Sequence, residues 1–498
     1  MPSSAADRLQ EQLKEVIDLQ KTGHDKQAVA QLQAMIKQFS GTQFSGHSRL
    51  NFLLGLSLYN LENYNNAADH ISRAITIEPT KAEYHTFLGV ILNQLGKNTL
   101  AAIRWKEAIR LNPSDPEPYF HLGDQLIDEG RPQEAIEWLT KAAQQEPDFL
   151  EAWNNLGLCH KALKQLEPAR ECFQKAIQLD PDHTDPHINL SMTLLIMGDY
   201  FHGWQEYDWR FKRPDSPLYR PPPPGVPLWQ GEPLKGKRLL ILSEQGFGDT
   251  VQFIRYLSVL KKQGAILSLL TPRPLAPLLQ EMDALDQVDT QSRPEEAYDY
   301  YCPLLTLPKL LKTTLPSIPQ TVPYLQAEAS RIQQWQKRLP PAALRVGLIW
   351  EGKPLFKNDP LRRRSTTLKA LAPLAQSRTD TLFVSLQKGD PAGQADDPPQ
   401  GMRVLNPDSE INDFADTAAI MANLDLIISI DTATAHLAGA LGCHTWVLLP
   451  FSPDWRWGLD QDNTPWYPQA RLFRQSQPNQ WKEPIAQMAE QLRKWPVK

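Results

Sequence analysis

The chain has 498 residues, 52 Lys and Arg against 57 Asp and Glu, a formal charge of -5, 41% hydrophobic and 22% charged residues. Length predicts about three domains, composition excludes global disorder, and the near balance of charge argues against a non-specific nucleic-acid binder, which needs a basic excess. No run approaches the roughly 18 apolar residues of a membrane span. The opening Met1-Pro-Ser-Ser-Ala-Ala-Asp7 lacks the basic start and apolar stretch of a signal peptide, so a cytoplasmic location is expected. Cys159, Cys172, Cys302 and Cys443 form no Cys-x-x-Cys pair, which speaks against a disulfide framework or a zinc site. Of 43 prolines, 10 fall in residues 1–212 and 33 beyond, so the chain has two parts of different character.

Residues 1–212 repeat. Gly55, Gly89, Gly123 and Gly157 are spaced by 34. Each is followed at +12 by Ala67, Ala101, Ala135 and Ala169, and at +16 by Ile71, Trp105, Leu139 and Phe173. At +19 come Ala74, Ala108, Ala142 and Ala176, and at +24 Pro79, Pro113, Pro147 and Pro181. Small residues let two helices approach, the large residue fills the space between units, and proline closes the second helix. An earlier copy runs through Gly23, Ala28 and Leu32, and a last one has Ser191 and Gly203 in place of glycine and alanine. The pattern resembles the tetratricopeptide repeat, in about five to six copies, and implies an α-helical solenoid with a concave groove for a protein partner. In the related O-GlcNAc transferases, asparagines two positions before the glycine hold peptide backbone. The matching positions here are Leu53, Phe87, His121, Asn155 and Asn189, so only Asn155 and Asn189 fit.

Residues 213–235 hold Pro221-Pro-Pro-Pro224, which favours polyproline II and predicts a semi-rigid linker. Two α/β segments follow, 236–340 and 341–498. In the first, strand Arg238–Ser243 leads through Glu244-Gln-Gly-Phe-Gly-Asp-Thr250 into helix Val251–Leu260, then strand Ile266–Leu270. In the second, strand Val346–Trp350 ends at Glu351-Gly-Lys-Pro354, followed by the basic Arg362-Arg-Arg364. Strand Leu382–Leu386 runs into Gln387-Lys-Gly389, and strand Leu424–Ile430 into Asp431-Thr-Ala-Thr-Ala-His436, which opens a helix. Strand Thr445–Leu449 ends at Pro450-Phe-Ser-Pro-Asp-Trp-Arg-Trp457. Alternation of strand and helix predicts parallel sheets. Gly246-Phe-Gly248-Asp is not Gly-x-Gly-x-x-Gly, so a nicotinamide dehydrogenase is a poor fit.

Ile430–Gly442 and Gly246-Phe-Gly-Asp249 resemble glycosyltransferase family 9, the ADP-heptose heptosyltransferases. Gln387-Lys-Gly389 and Ser452–Trp457 are similar to bacterial proteins that fuse tetratricopeptide repeats to such a transferase. The resemblance implies a GT-B fold, two Rossmann-like domains facing a cleft, with the nucleotide-sugar donor on the C-terminal one and a last helix near Pro484–Lys494 crossing back to the first. It implies a donor site at Asp431, Thr432, Ala433, Thr434 and His436, with Gln387 and Lys388 beside it and Lys353 contacting phosphate. Physics points the same way. A helix N-terminus binds anions through free N–H groups and its dipole, small side chains at Ala433 and Thr434 let phosphate approach, and Asp431 is placed as N-cap. Arg364 is a further cation candidate. With a lysine and a helix terminus available, neither metal nor cofactor is expected.

Sugar transfer with inversion needs a base for the acceptor hydroxyl. Asp249 matches the heptosyltransferase aspartate in that role, and also reads as a helix cap. Gly246, Gly248, Trp455 and Arg456 are expected to line the acceptor side of the cleft, the last two by stacking. The leading expectation is a glycosyltransferase moving sugar from a nucleotide-sugar donor to a protein recruited by the repeats, as repeat-fused enzymes acting on flagellin or other surface proteins do. The alternatives are transfer to a glycan or lipid precursor with the repeats as an assembly module, and a non-catalytic repeat scaffold carrying a degenerate transferase. Neither nucleic acid nor a membrane span is expected, and an oligomer is compatible with the sequence.

Overall fold

The structure is a computed structural model describing residues 5–39, 46–213, 218, 220–291, 297–352 and 364–496. It forms two compact units, Met1–His160 and Lys161–Lys498. No helix among the described residues is long and apolar enough to cross a membrane.

The first unit is helical throughout. Its helices are Ala5–Lys21, Asp25–Phe39, Gly46–Asn60, Tyr64–Ile77, Ala82–Gln94, Asn98–Leu111, Glu117–Asp128 and Pro132–Gln145, and helix Leu150–Ala162 runs across the unit boundary. The repeated positions are its core: Ala67, Ile71, Ala74, Ala101, Trp105, Ala108, Ala135, Leu139 and Ala142 are all at most 1% exposed. The large residue at +16 lies directly on the glycine of its own repeat, and Trp105 also reaches the next repeat, where it stacks on His121 at 5.4 Å. A Cβ at Gly89 would sit 2.3 Å from the Trp105 indole nitrogen, one at Gly55 2.4 Å from Ile71, and one at Gly123 2.5 Å from Leu139.

The second unit opens with helices Leu166–Leu179, Thr184–Met197 and Tyr200–Tyr207 and a 3-10 turn, Asp208–Lys212. In the atypical last repeat Gly203 takes the small-residue role. Its added Cβ would meet Leu195 at 2.9 Å, and Ser191 donates to its carbonyl at 2.8 Å. Two parallel sheets follow. The first contains β1 (Arg238–Leu242), β2 (Ile266–Leu270), β3 (Gln287–Asp289) and β4 (Tyr300–Pro303), in the order β3-β2-β1-β4. The second contains β5 (Leu344–Ile349), β6 (Thr381–Ser385), β7 (Val404–Leu405), β8 (Leu426–Ile430), β9 (Thr445–Leu449) and β10 (Ala470–Arg474), in the order β10-β9-β8-β5-β6-β7. The central strands β1, β5, β8 and β9 are largely apolar and buried on both faces, as sheets covered by helices on each side require.

Three features differ from the sequence reading. The boundary between compact units falls at His160, ahead of the proline segment. The physical reason is aromatic packing: Trp204 of the last repeat meets Trp455 at 5.3 Å and Phe253 at 5.9 Å between ring centroids, and Tyr200 stacks on Trp466 at 6.2 Å. The last repeat therefore belongs to the same core cluster as both sheets. The end of the linker is not a free spacer, because Trp229 is 2% exposed and its N–H donates to the Tyr301 carbonyl at 2.9 Å, along the edge of β4. The last helix, Lys482–Arg493, stays with the second sheet and packs on helix Ala372–Ser377 instead of crossing back. It is anchored there by Trp495, which lies 5.4 Å from Trp446 and accepts from Arg378 at 2.5 Å.

Candidate functional site

Each sheet has one point where the chain reverses its direction of travel across the strands, and open parallel sheets bind ligands beyond the carboxyl ends of the strands at that point. In the second sheet it lies between β5 and β8. The loops leaving these strands are Trp350-Glu351-Gly352 and Asp431-Thr432. In the first sheet it lies between β1 and β4, where β1 leads into Ser243–Gly246 and helix Phe247–Phe253.

The two glycine- and alanine-rich segments picked out in the sequence meet. Helix Phe247–Phe253 packs on helix Ala433–Ala440. A Cβ at Gly248 would lie 2.8 Å from His436 Cδ2 and 3.2 Å from Ala433 Cα, so only glycine permits this approach. Phe247 meets Phe414 at 5.2 Å, and Tyr324 donates to the Val251 carbonyl at 3.0 Å while its own N–H donates to Ala440 at 3.0 Å.

The N-cap of helix Ala433–Ala440 is Thr432, with extended backbone, and not Asp431, which stands one residue earlier and is 9% exposed. Thr432 Oγ1 lies 3.2 Å from Ser429 Oγ, and Ala433 and Thr434 are half-buried in the first turn. Among the described residues, Arg364 brings a cation to this terminus. A Cβ at Gly352 would lie 3.1 Å from Arg364 Nε and 3.2 Å from Thr432 Cγ2, so guanidinium and helix start flank the same glycine. Backbone pairing delivers the arginine: Thr366 N–H donates to the Trp350 carbonyl at 2.8 Å, and Gly352 N–H donates to Ser365 Oγ at 3.2 Å. Arg364 Nε is buried with no hydrogen-bond partner among the described residues. Lys353 lies outside the described residues.

The remaining donor candidates are engaged with the protein. Gln387 is 6% exposed and clamps the β5 loop: its Oε1 accepts from Trp350 and Glu351 N–H at 3.2 and 3.0 Å, and its Nε2 donates to the Glu351 carbonyl at 2.9 Å. Lys388 pairs with Asp408 at 2.9 Å. His436 is 5% exposed, its Nδ1 is 2.9 Å from the Tyr467 hydroxyl, and Trp457 stacks on it at 5.3 Å. Burial, with the Arg456 guanidinium adding to it, pushes the imidazole down to about 3, so it stays neutral.

Asp249 is 21% exposed and faces two partners. Oδ2 accepts from Gly246 N–H at 3.0 Å, which ties the carboxylate back to the residue that starts the helix, and Oδ1 accepts from the Arg456 guanidinium. Burial raises the carboxyl above its ordinary 3.8, and Arg456 opposes that rise. Arg456 is 8% exposed and also holds Asp454 at 2.9 Å. Trp455, 4% exposed, lies in the aromatic core with Trp204 and Trp466. Trp455 joins the last repeat to the loop after β9, and Arg456 joins that loop to Asp249 and Gln252 on the first sheet's side. Gln245, just before Gly246, was not singled out in the sequence, yet it holds φ 58°, a left-handed conformation that costs a non-glycine residue roughly 1 kcal/mol or more. Among the described residues no group of three or more His, Cys, Asp or Glu is arranged to hold a metal ion.

In the repeats, Asn155 donates to Asp124 Oδ1 at 3.0 Å. Asn189 lies on helix Thr184–Met197 of the second unit. Burial, together with Asp128, pushes the Asp124 carboxyl from 3.8 up to about 6. A raised carboxyl binds its proton more tightly folded than unfolded, so the folded state loses stability as pH rises from about 4 to about 6. Asp124→Asn, which keeps the bond to Asn155, is expected to raise the melting temperature at pH 7.5 and leave it unchanged at pH 4; an equal shift at both values would remove titration as the cause.

Fold and site together define a tetratricopeptide-repeat protein joined to an α/β unit of two parallel sheets. Tetratricopeptide-repeat profiles match residues 52–116, 88–148 and 150–183. The chain is 28% identical to Protein FlbA of Caulobacter vibrioides over 443 residues, 83% of this chain and 73% of that protein. It is 26% identical over 170 residues to UDP-N-acetylglucosamine–peptide N-acetylglucosaminyltransferase of Giardia intestinalis, 34% of this chain and 11% of that one. A solved structure of Pseudomonas aeruginosa PilF matches 33% of this chain and 74% of its own with 24% identity and a TM-score of 0.31.

Proposed function

We propose that the protein is a glycosyltransferase of GT-B type that moves a sugar from a nucleotide-sugar donor to a hydroxyl of a protein recruited by the repeats. The observation that carries this reading is the point of chain reversal between β5 and β8, where the start of helix Ala433–Ala440 and the Arg364 guanidinium flank Gly352. A helix terminus and a guanidinium suit a diphosphate, and they strengthen their hold as charge gathers on the leaving nucleoside diphosphate. Asp249 is the base: as the acceptor oxygen attacks the anomeric carbon, the carboxylate takes its proton, the glycosidic bond to phosphate breaks and the configuration inverts. The low-level similarity to a peptide N-acetylglucosaminyltransferase supports a protein acceptor.

The test is a thermal-shift panel of UDP, GDP, ADP and CMP sugars with and without EDTA. One of them is expected to raise the melting temperature in either condition, since a ligand of the folded state stabilises it by mass action. Arg364→Ala is expected to weaken that ligand about 10-fold to 100-fold, the worth of a charge-assisted hydrogen bond. Binding abolished by EDTA, or unchanged in Arg364→Ala, would overturn this account of the donor site.

A further inference from the structure

The turn that carries Asp249 is held from outside its own domain. Glu244 and Gln245, the two residues that lead into Gly246, are both gripped by the end of the last repeat. Glu244 has a fully buried side chain and takes a two-pronged bond from Arg210, Nε at 2.8 Å and Nη2 at 3.1 Å. Arg210 is itself 4% exposed and also donates to Thr306 Oγ1 at 2.9 Å and to the Tyr207 carbonyl at 2.9 Å. Glu244 Oε1 accepts in addition from Leu305 N–H at 2.8 Å, so the carboxylate joins repeat, turn and the end of β4.

Gln245 is the left-handed residue, with φ 58°. Its amide meets the Tyr207 hydroxyl, which accepts from Nε2 at 2.9 Å and lies 3.1 Å from Oε1. Burial pushes the Tyr207 phenol up, so it remains neutral. A non-glycine residue stays in this region only where its surroundings hold it there, and here the hold comes from Tyr207. The repeat end is in turn anchored: His187 stacks on Trp209 at 3.6 Å, and Lys309 pairs with Asp208 at 2.6 Å.

We infer that Tyr207 and Arg210 are positioning residues that set the backbone of the Gly246–Asp249 turn through Gln245 and Glu244, making the last repeat part of the catalytic apparatus. As regards catalysis this rests on the transferase reading above; as regards the turn it stands on the geometry alone. Positioning the turn acts on the reacting geometry, because the proposed phosphate contacts, the start of helix Ala433–Ala440 and Arg364, are held by the other sheet, although Gly248 packs against Ala433.

The experiment uses the full chain with Tyr207→Phe, Gln245→Gly and their double variant, and Arg210→Lys as a charge-conserving change that removes the two-pronged geometry. Amide hydrogen exchange at residues 246–249 and turnover of the UDP, GDP, ADP and CMP sugars are both read. Tyr207→Phe is expected to speed exchange at the turn about tenfold, the value of one hydrogen bond, and to lower kcat about tenfold with the donor KM unchanged. In the Gln245→Gly background the same substitution is expected to do nothing further, since glycine adopts the left-handed conformation without a tether. Arg210→Lys is expected to speed exchange at the same amides. Exchange at wild-type rate in both Tyr207→Phe and Arg210→Lys would overturn the proposal, as would an undiminished Tyr207→Phe effect in the glycine background. If the wild type turns over none of the panel, the transferase reading falls, while faster exchange in the variants still upholds the positioning role.

Discussion

Severing the chain between Lys212 and Arg213 is expected to destroy the α/β unit, whereas severing it between Asp148 and Phe149 is expected to leave two folded pieces. Tyr200, Trp204 and Tyr207 are at most 4% exposed and share one cluster with Phe253, Trp455 and Trp466. Three aromatic side chains of about 150–250 Å² each represent hydrophobic stabilisation on the order of 10 kcal/mol, as much as a whole domain's net stability. The cut at 212 also leaves Glu244 buried without Arg210, and an orphaned partner of a buried ion pair costs about 3–5 kcal/mol. A repeat boundary is a milder place to cut, because each repeat contacts only its neighbours. Circular dichroism melts and dye binding on the four fragments check this. A 213–498 piece that melts cooperatively without binding dye would refute the shared core.

Asp249→Asn is expected to slow turnover about 100-fold to 10,000-fold, the usual contribution of a general base, with donor affinity unchanged. The structure sharpens what the control must be, since the same carboxylate caps a helix and pairs with Arg456. Losing a charged hydrogen bond costs about 1.5–3 kcal/mol, although Arg456 keeps Asp454 at 2.9 Å. A purely structural Asp249 would therefore lower the melting temperature and leave kcat intact. The pH profile separates the roles further. A base works deprotonated, so activity rises as pH climbs through its pKa, which burial places above the ordinary 3.8; that acidic limb should vanish in Asp249→Asn. A variant with normal kcat and an unchanged acidic limb would leave Asp249 as a cap and ion-pair partner and would move the base to another residue of the site.

Much of the chain's organisation was legible without coordinates. The repeats declare themselves because a helix pair with a 34-residue period needs a small residue wherever two helices touch, and Gly89 against Trp105 shows that need in its sharpest form. The strands β1, β2, β5, β6, β8 and β9 were readable because parallel strands buried on both faces are short continuous apolar runs. The shorter β3 and β7, and β4 and β10, were passed over, since Tyr300–Pro303 and Ala470–Arg474 lack such a run. Gly246-Phe-Gly-Asp249 and Asp431–His436 stood out as small-residue turns after strands and by family resemblance, and they do lie against each other.

What composition and spacing did not reveal is which polar atoms are already bonded. Gln387, Lys388 and His436 have the chemistry of donor ligands, yet each is bonded to the protein, by contacts 20–36 residues away in sequence. Arg364 was one of three cation candidates in the sequence, beside Lys353 and Lys388, and the pairing of Thr366 with Trp350 carries it to the start of helix Ala433–Ala440. The last repeat shows the same limit. Its helices follow the repeat period and look like the end of a solenoid, but a solenoid's end must bury its outward apolar face on something. Here Trp204, Tyr207 and Arg210 bury theirs in the sheets that follow. The sequence by itself determined the 34-residue period and the atypical last copy that ends it, and only the tertiary fold decided that Trp204, Tyr207 and Arg210 meet Trp455, Gln245 and Glu244, because long-range packing is not written in the spacing of any one element.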